Sequence, residues 1–395
     1  MNYKAVHVCR SCGSENLKEV LSLGRHKIVD FTRKAVRVPL ELIRCEACTL
    51  VQLRHNTNPS LLWNDGYGYR SGVNDKMVSH LHGIAKAAEE FLQDKDVVLD
   101  IGCNDGSLLN GYTKELYLMG IDPSENVASY AHETLKGKNY TIVYDFFNKK
   151  ALEGYKFNVI TAISMFYDLT DPNVFIEDIK SCLVDNGVFI VQQNYLDSMI
   201  KNCAFDNICH EHLEYYSLTS LSMLLMRHGM MVFRVEENDL NGGSIRTFIC
   251  RIGDRPIEES VREMITRETT LNMDEFSEKV YKNIAQLEDL LGYIHFKGQS
   301  VYVYGASTRG GTLIQALGLR HGVIKYAVDR NPDKWGKTME STRIPIISEE
   351  QARKDKPDYM MIMPYWFSDY FIERESEYLK NGGKFIIPLP TLRIV

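Results

Sequence analysis

Apolar residues fall in short runs along this chain, and several of the runs stop at an acidic residue or a glycine-rich turn. From residue 97 the stretch VVLDIGCNDGSLL reads as a strand ending at Asp100, a turn containing Gly102, Asn104, Asp105 and Gly106, and then a helix. A second strand, YLMGIDPS, ends in Asp122, and a helix is predicted near residues 124–135. Strands follow over YTIVY, FNVITAIS and GVFIVQQ, with a helix from Pro172 to Cys182 before the last of these. This alternation predicts a doubly wound parallel sheet. Residues 256–294 are polar and helix-favouring. KGQSVYVYGASTRGG then restarts the sequence of strand, glycine turn and helix, and VIKYAVD and DYMMIM continue it as a second open sheet.

A chain of 395 residues exceeds what one core usually organises, which agrees with several domains. With 44% hydrophobic and 25% charged residues it has the composition of a soluble globular protein. The opening MNYKAVHVCRSCG lacks an apolar signal core and no segment reaches bilayer-spanning length, so a cytoplasmic protein without membrane partners is expected. Net charge is −6 and no stretch concentrates Lys and Arg, which argues against nucleic acid as a partner. Oligomeric state stays open, a monomer included.

Nine cysteines change the picture at the amino terminus. Cys9-Arg-Ser-Cys12 and Cys45-Glu-Ala-Cys48 are two C-x-x-C knuckles, and four thiolates satisfy Zn²⁺ with no open coordination position. A structural zinc site is expected. The chain therefore divides into a zinc-binding domain over 1–70, a central domain over 71–255 and a carboxy-terminal α/β domain over 256–395.

The loop after Asp100 lacks the G-x-G-x-x-G spacing of dinucleotide enzymes and the lysine of a P-loop. An acid at the end of the second strand, Asp122, can accept both hydroxyls of a ribose, so the pair points to an adenosine-bearing ligand. The ordered set D-I-G-C-N-D-G, I-D-P-S and D-F-F-N at Asp145 resembles class I, Rossmann-like S-adenosylmethionine-dependent methyltransferases. That resemblance implies cofactor contacts at Asp100, Gly102, Asn104, Gly106, Asp122, Asp145 and Ser164.

Residues 205–217, FDNICHEHLEYYS, are the densest candidate chemistry. Zinc-protease histidines lie four apart on a helix, whereas His210 and His212 are two apart, so a metal reading is weak. In an extended segment both imidazoles would enter one pocket with Glu211 turned away; in a turn that inference fails. A neutral imidazole can take a proton, and a nearby carboxylate or tyrosine can orient it.

Five stretches together resemble the sugar C-methyltransferases of deoxysugar biosynthesis, the NDP-hexose 3-C-methyltransferase family of the mycarose and tetronitrose type. They are the paired knuckles, YGYRSGVN at 67–74, HEHLEYYS at 210–217, NGGSIRTFI at 241–249 and YGASTRGGTLIQ at 304–315. Membership implies a zinc-bearing domain, a methyltransferase domain and a second Rossmann-like α/β domain that helps bind a nucleotide-diphosphate sugar. The reaction implied is removal of a proton beside a ketone, enolate formation and methylation of that carbon, with S-adenosylmethionine as cofactor. The family's base maps onto His212, with Glu211 and His210 beside it. Members often carry a tyrosine directly before HEH, and here that place is Cys209, a weak hydrogen-bond donor. Tyr67 or Tyr69 would then carry the oxyanion. Arg70, Ser71, Asn241, Ser307, Thr308 and Arg309 are the expected substrate contacts, the last three in a turn suited to a diphosphate. Two other functions fit the scaffold: an O- or N-methyltransferase, or a non-catalytic nucleotide-sugar or dinucleotide-binding protein, the latter because Asp329 follows Gly305 at a strand end.

Overall fold

The computed structural model describes residues 2–28, 36–62, 70–152, 154–319, 322–339 and 341–395. An amino-terminal zinc-binding unit is followed by two seven-stranded α/β sheets, the three-part architecture expected from the sequence. Among the described residues no helix is long and apolar enough to cross a membrane.

The central sheet runs in the order Met230–Asn238, Ser244–Arg251, Leu183–Asn194, Phe157–Ile163, Val97–Ile101, Tyr117–Ile121, Asn139–Val143. Ser244–Arg251 is antiparallel to both neighbours, while the five strands from Leu183–Asn194 to Asn139–Val143 pair in parallel. Parallel strands are covered on both faces, which is why VVLDI and FNVITAI are almost unbroken apolar runs. The chain leaves Val97–Ile101 in one direction to Tyr117–Ile121 and in the other to Phe157–Ile163. This reversal opens a crevice at the carboxyl ends of the strands.

One expected element is divided. The helix anticipated near 124–135 is present as Glu125–Ala128 and Ala131–Thr134. At the join, Tyr130 N–H donates to the Val127 carbonyl and His132 N–H to that of Ser129, bonds of the tighter three-residue kind. The Pro172–Cys182 helix has the bounds read from the sequence, with Asp171 capping it through the N–H groups of Asn173 and Val174.

In the carboxy-terminal sheet the parallel strands are ordered Ile344–Ile347, Tyr326–Val328, Val301–Tyr304, Tyr359–Ile362, Lys384–Ile387, with short antiparallel strands at both edges. Its order also reverses beside the first strand, Val301–Tyr304. The helix Met273–Phe296 buries Phe276, Val280, Leu287, Leu291 and Ile294. The same helix touches the amino-terminal sheet, where Tyr281 Oη bridges the backbone of Ser22 and Lys18 pairs with Asp274.

Strands Leu17–Lys27, Arg37–Cys45 and Val51–Leu53 form that amino-terminal sheet, and its fourth strand is Glu214–Tyr215, from the segment that carries His210 and His212. Two histidines lie at this seam. His26 and His210 are each under 5% exposed. Burial lowers both to about 4, and each feels further positive charge, His26 from His210 and Arg37, His210 from His55. Both rings are therefore neutral in the fold and, once unfolded, would protonate below about 6.5.

A group lowered in the folded state adds stability that is complete above its unfolded pKa and lost as pH falls through the folded one. We expect stability, and with it the thermal midpoint, to fall as pH drops from 6.5 towards 4, with up to about 3 kcal/mol of unfolding free energy lost for each ring. His26→Phe should flatten its share of that slope while zinc is still retained. A scanning-calorimetry profile equally steep in the variant would show that His26 does not contribute.

Candidate active site

At the central switch point the turn after Val97–Ile101 depends on left-handed backbone. Gly102, Asn104 and Gly106 have φ of 71°, 51° and 77°. A Cβ on Gly106 would meet Ala131 Cβ at 3.0 Å, so the glycine answers both the conformation and the close approach of a neighbouring helix. Asp100 is buried and pushed up to about 7, with Thr161 Oγ1 donating to its Oδ1 at 2.6 Å. Asp122 Oδ2 accepts from Asn104 N–H at 3.0 Å and Oδ1 from Ser124 N–H at 2.8 Å. These bonds hold its carboxylate at the strand end, and burial raises its pKa against the lowering effect of the bonds from Ser124 and Asn104. Asp145 is exposed beyond the third strand, its Oδ1 taken by Phe146 N–H, and Ser164 adopts φ 56° while donating its N–H to the Gln192 carbonyl.

Residues 70–73 lie across the glycine loop. Ser71 N–H donates to Asn104 Oδ1, Gly72 N–H donates to Asp105 Oδ2, and Arg70 stacks 3.5 Å from the Tyr130 ring centroid. Tyr67 and Tyr69 fall outside the described residues.

HEH forms a turn, with His212 N–H donating to the Cys209 carbonyl, and the two imidazoles diverge. His210 Nε2 donates to the Val38 carbonyl at 3.1 Å, into the amino-terminal sheet. His212 Nδ1 donates to the Asn207 carbonyl at 2.9 Å, which fixes the tautomer and leaves Nε2 as an acceptor. Tyr167 packs edge-on to the His212 ring at 4.5 Å. Burial lowers His212 to about 4; the Asn207 bond opposes this and the charge of Arg309 reinforces it. A small cavity beside the ring, with room for about one water, is lined by Tyr167, Asn194, Tyr195, Met199, His212 and Tyr215 among others. Asn194 ends the strand beside Phe157–Ile163, so the cavity borders the crevice. Burial also raises Glu211, whose carboxyl receives the Cys209 thiol, and raises Asp168 with help from Glu211 and Glu214.

At the amino terminus all four cysteine sulfurs lie within 4.8 Å of one another, Cys9 to Cys48 at 3.4 Å and Cys12 to Cys45 at 3.6 Å. Tetrahedral zinc with bonds of about 2.3 Å spaces its sulfurs by roughly 3.8 Å, so the cluster fits the ion. Contacts among the sulfurs lower Cys48 to about 5 and raise Cys9; a cation is what lets all four carry charge together.

Three family models match the chain in order: a zinc binding domain over 9–63, a methyltransferase domain over 71–234 and a C-methyltransferase C-terminal domain over 239–390. C-methyltransferase NovU of Streptomyces niveus is 30% identical in an alignment of 414 residues that covers 99% of this chain and 97% of that protein. The chain belongs to the C-methyltransferase family. Among solved structures, the complex of the Haloferax volcanii Trm112 activator with a methyltransferase matches at 17% identity and TM-score 0.39, over 46% of this chain and 94% of that one. The plantazolicin methyltransferase BpumL bound to S-adenosylhomocysteine matches at 15% and 0.35, over 43% and 82%.

This C-methyltransferase uses S-adenosylmethionine, and the Cys9, Cys12, Cys45 and Cys48 cluster of its zinc binding domain is the set that would hold the ion. The structure brings Arg309 from the carboxy-terminal unit to the histidine segment. Its Nε meets Asp206 at 2.8 Å, Nη1 donates to the Asn241 carbonyl, Nη2 donates to Tyr365 Oη at 3.2 Å, and the guanidinium lies 4.2 Å from the Trp366 ring centroid. Ser307 caps the helix Thr308–Ala316 through the Gly310 N–H, and Thr308 is half-buried beside it. Asp329 is engaged by Lys334 and by Ala306 N–H. Sequence reasoning did not single out Asp206, Tyr365 or Trp366 as partners of Arg309, or Tyr167, Asn194 and Tyr215 around His212. Nothing in their local sequence marks them, except that Asp206 and Tyr215 lie within the quoted FDNICHEHLEYYS.

Freshly purified protein should contain one zinc per chain by elemental analysis. Cys45→Ser should lose the metal and lower the thermal midpoint, because Cys45 ends the strand that carries Val38. Retention of stoichiometric zinc by that variant would contradict the four-sulfur site.

Proposed function

We propose that this C-methyltransferase acts on a nucleotide-linked 4-keto deoxysugar, with His212 as the base that removes the proton beside the ketone. The observation that carries the reading is the oriented imidazole: Nδ1 is committed to the Asn207 carbonyl, and the ring lines a cavity at the carboxyl ends of the central strands. Burial keeps His212 neutral, the form a base requires. An enolate forming beside the ring would stabilise the imidazolium, so the same burial strengthens their attraction. S-adenosylmethionine supplies an electrophilic methyl group on a sulfonium.

Asp122 is assigned to the ribose hydroxyls, with Asp100, Gly102, Asn104, Gly106, Asp145 and Ser164 around the rest of the cofactor. Glu211 and His210 hold the segment that presents His212. Arg70, Ser71, Asn241, Ser307, Thr308 and Arg309 are assigned to the sugar nucleotide. Support comes from Arg309, which joins the turn at 305–311 to Asp206 near the histidine, and from the helix N-terminus at Thr308, whose free N–H groups suit a diphosphate. Oxyanion roles for Tyr67 and Tyr69 keep their place in this reading on the sequence resemblance alone. A cytoplasmic setting agrees with nine cysteines, all free of disulfides.

Asp122→Ala should weaken S-adenosylmethionine binding by roughly 1.5–3 kcal/mol, the range for hydrogen bonds to a charged group, without unfolding the protein. Unchanged affinity by calorimetry would refute the cofactor placement. His212→Asn should keep zinc and S-adenosylhomocysteine affinity while turnover falls about 10²- to 10⁴-fold. Exchange of substrate hydrogen with D₂O at the carbons flanking the ketone should fall with it. Exchange at the normal rate with methylation abolished would transfer the base role to another residue.

A further inference from the structure

We propose that Tyr215 is a further catalytic residue, donating its hydroxyl hydrogen to the oxygen of the developing enolate. The proposal rests on the enolate chemistry above. Among the described residues three tyrosines line the cavity that His212 lines: Tyr167, Tyr195 and Tyr215. Tyr195 Oη is committed to Glu268 at 2.9 Å, with Arg267 beside it. Tyr167 packs its ring against the imidazole. Tyr215 is the one whose hydroxyl is held by a stretched bond, 3.5 Å to the Asn207 carbonyl, and that carbonyl already takes His212 Nδ1–H at 2.9 Å. A hydroxyl in such a bond is readily redirected to a stronger acceptor, and an enolate oxygen is one.

Its position is well determined. Backbone pairing of Tyr215 with Val51 fixes the main chain, and the side chain is buried. Cys209 cannot take the role, since its buried thiol is a weak donor directed to Glu211. The Cys209 backbone faces the Tyr215 hydroxyl, which places that hydroxyl at the start of the HEH turn. Burial first, then the nearby Cys209, Asp168 and Glu211, keeps the phenol protonated and so a donor. In the step itself His212 Nε2 takes the proton from carbon, the C–H electron pair moves into the C–C bond, and the carbonyl pair moves to oxygen. Tyr215 keeps its proton throughout and contributes only the hydrogen bond.

The test uses full-length zinc-loaded enzyme with S-adenosylhomocysteine in D₂O. The probes are 4-keto-6-deoxyhexoses linked to thymidine, cytidine or guanosine diphosphate, of which the one that the wild type exchanges is carried forward. Tyr215→Phe should slow exchange at the carbons flanking the ketone by about 10²-fold, with S-adenosylhomocysteine affinity and zinc content unchanged. Fluorotyrosine at position 215, which keeps the hydroxyl but lowers its pKa, should retain exchange and shift the alkaline limb of the profile to lower pH. A phenylalanine variant that exchanges at the wild-type rate overturns the role of Tyr215 and leaves the enolate reading intact. An alkaline limb unmoved by fluorotyrosine, or a phenylalanine variant that loses cofactor affinity in step with exchange, overturns it as well, as a packing effect. Absence of exchange by the wild type on every probe removes the enolate reading and this proposal together.

Discussion

Two residues of backbone pairing, Glu214 and Tyr215 against Gln52 and Val51, connect the zinc unit to the candidate catalytic histidine. A strand this short is not stable alone, so its neighbours must hold it. Leu53 N–H donates to the Leu213 carbonyl, Leu213 N–H to the Tyr167 carbonyl and Leu196 N–H to the Tyr216 carbonyl. The segment is thus bonded to the amino-terminal sheet on one side and to loops of the central unit on the other. Zinc enters through the turn at Cys45 and Cys48, which joins the strand carrying Val38 to the strand carrying Val51. A metal with no open coordination position consequently has a path of hydrogen bonds to the active-site region.

Burial sets the charge states here. His26, His210 and His212 are all lowered to about 4, while Asp168 and Glu211 are raised, so the interior around the segment favours neutral forms on both sides. Arg309 and Asp206 are the exception, an ion pair at 2.8 Å with the two side chains 15% and 2% exposed. Removing one member of such a pair leaves a buried charge without its partner, which is far more costly than the net worth of the pair. The pair therefore acts as a latch between the carboxy-terminal turn and the segment at 205–217. Tyr365 contributes to both members, and Trp366 covers the guanidinium.

Legibility from sequence followed the range of the interactions. The strands around Asp100 and Asp122, the glycine turn and the Pro172–Cys182 helix are local patterns, and all are present. The paired cysteines were legible because metal ligation has a spacing of its own. Glu214–Tyr215 was not, because a two-residue strand has no periodicity and its partners lie more than 160 residues away. Strand Leu17–Lys27 carries register shifts between Glu19 and Leu21 and between Ser22 and Arg25, which break the alternation by which a half-buried strand is recognised. The two-residue spacing of His210 and His212 implied one shared pocket only for extended backbone, and the turn at Cys209 sends the rings apart. Arg309 stood out in its turn, but its partner Asp206 could be found only once the two units were brought together.

The two α/β units meet through the ends of their strands that carry ligand crevices in open sheets. Lys76, at the start of the helix Asp75–Ala88, lies 5.4 Å from the Phe367 ring centroid and 5.2 Å from that of Tyr370. Phe367 and Tyr370 follow the strand Tyr359–Ile362, and Arg309 follows Val301–Tyr304, so the contact comes from the carboxyl side of the second sheet. On the central side, Asp206 and Asn241 receive Arg309. A reaction that generates an enolate must exclude water from the base and bring a methyl donor to the same carbon. In the reaction proposed above, crevices that open towards each other, with the His212 segment bonded to both units, would serve that requirement. Moving either unit would disturb the same few hydrogen bonds around residues 205–217.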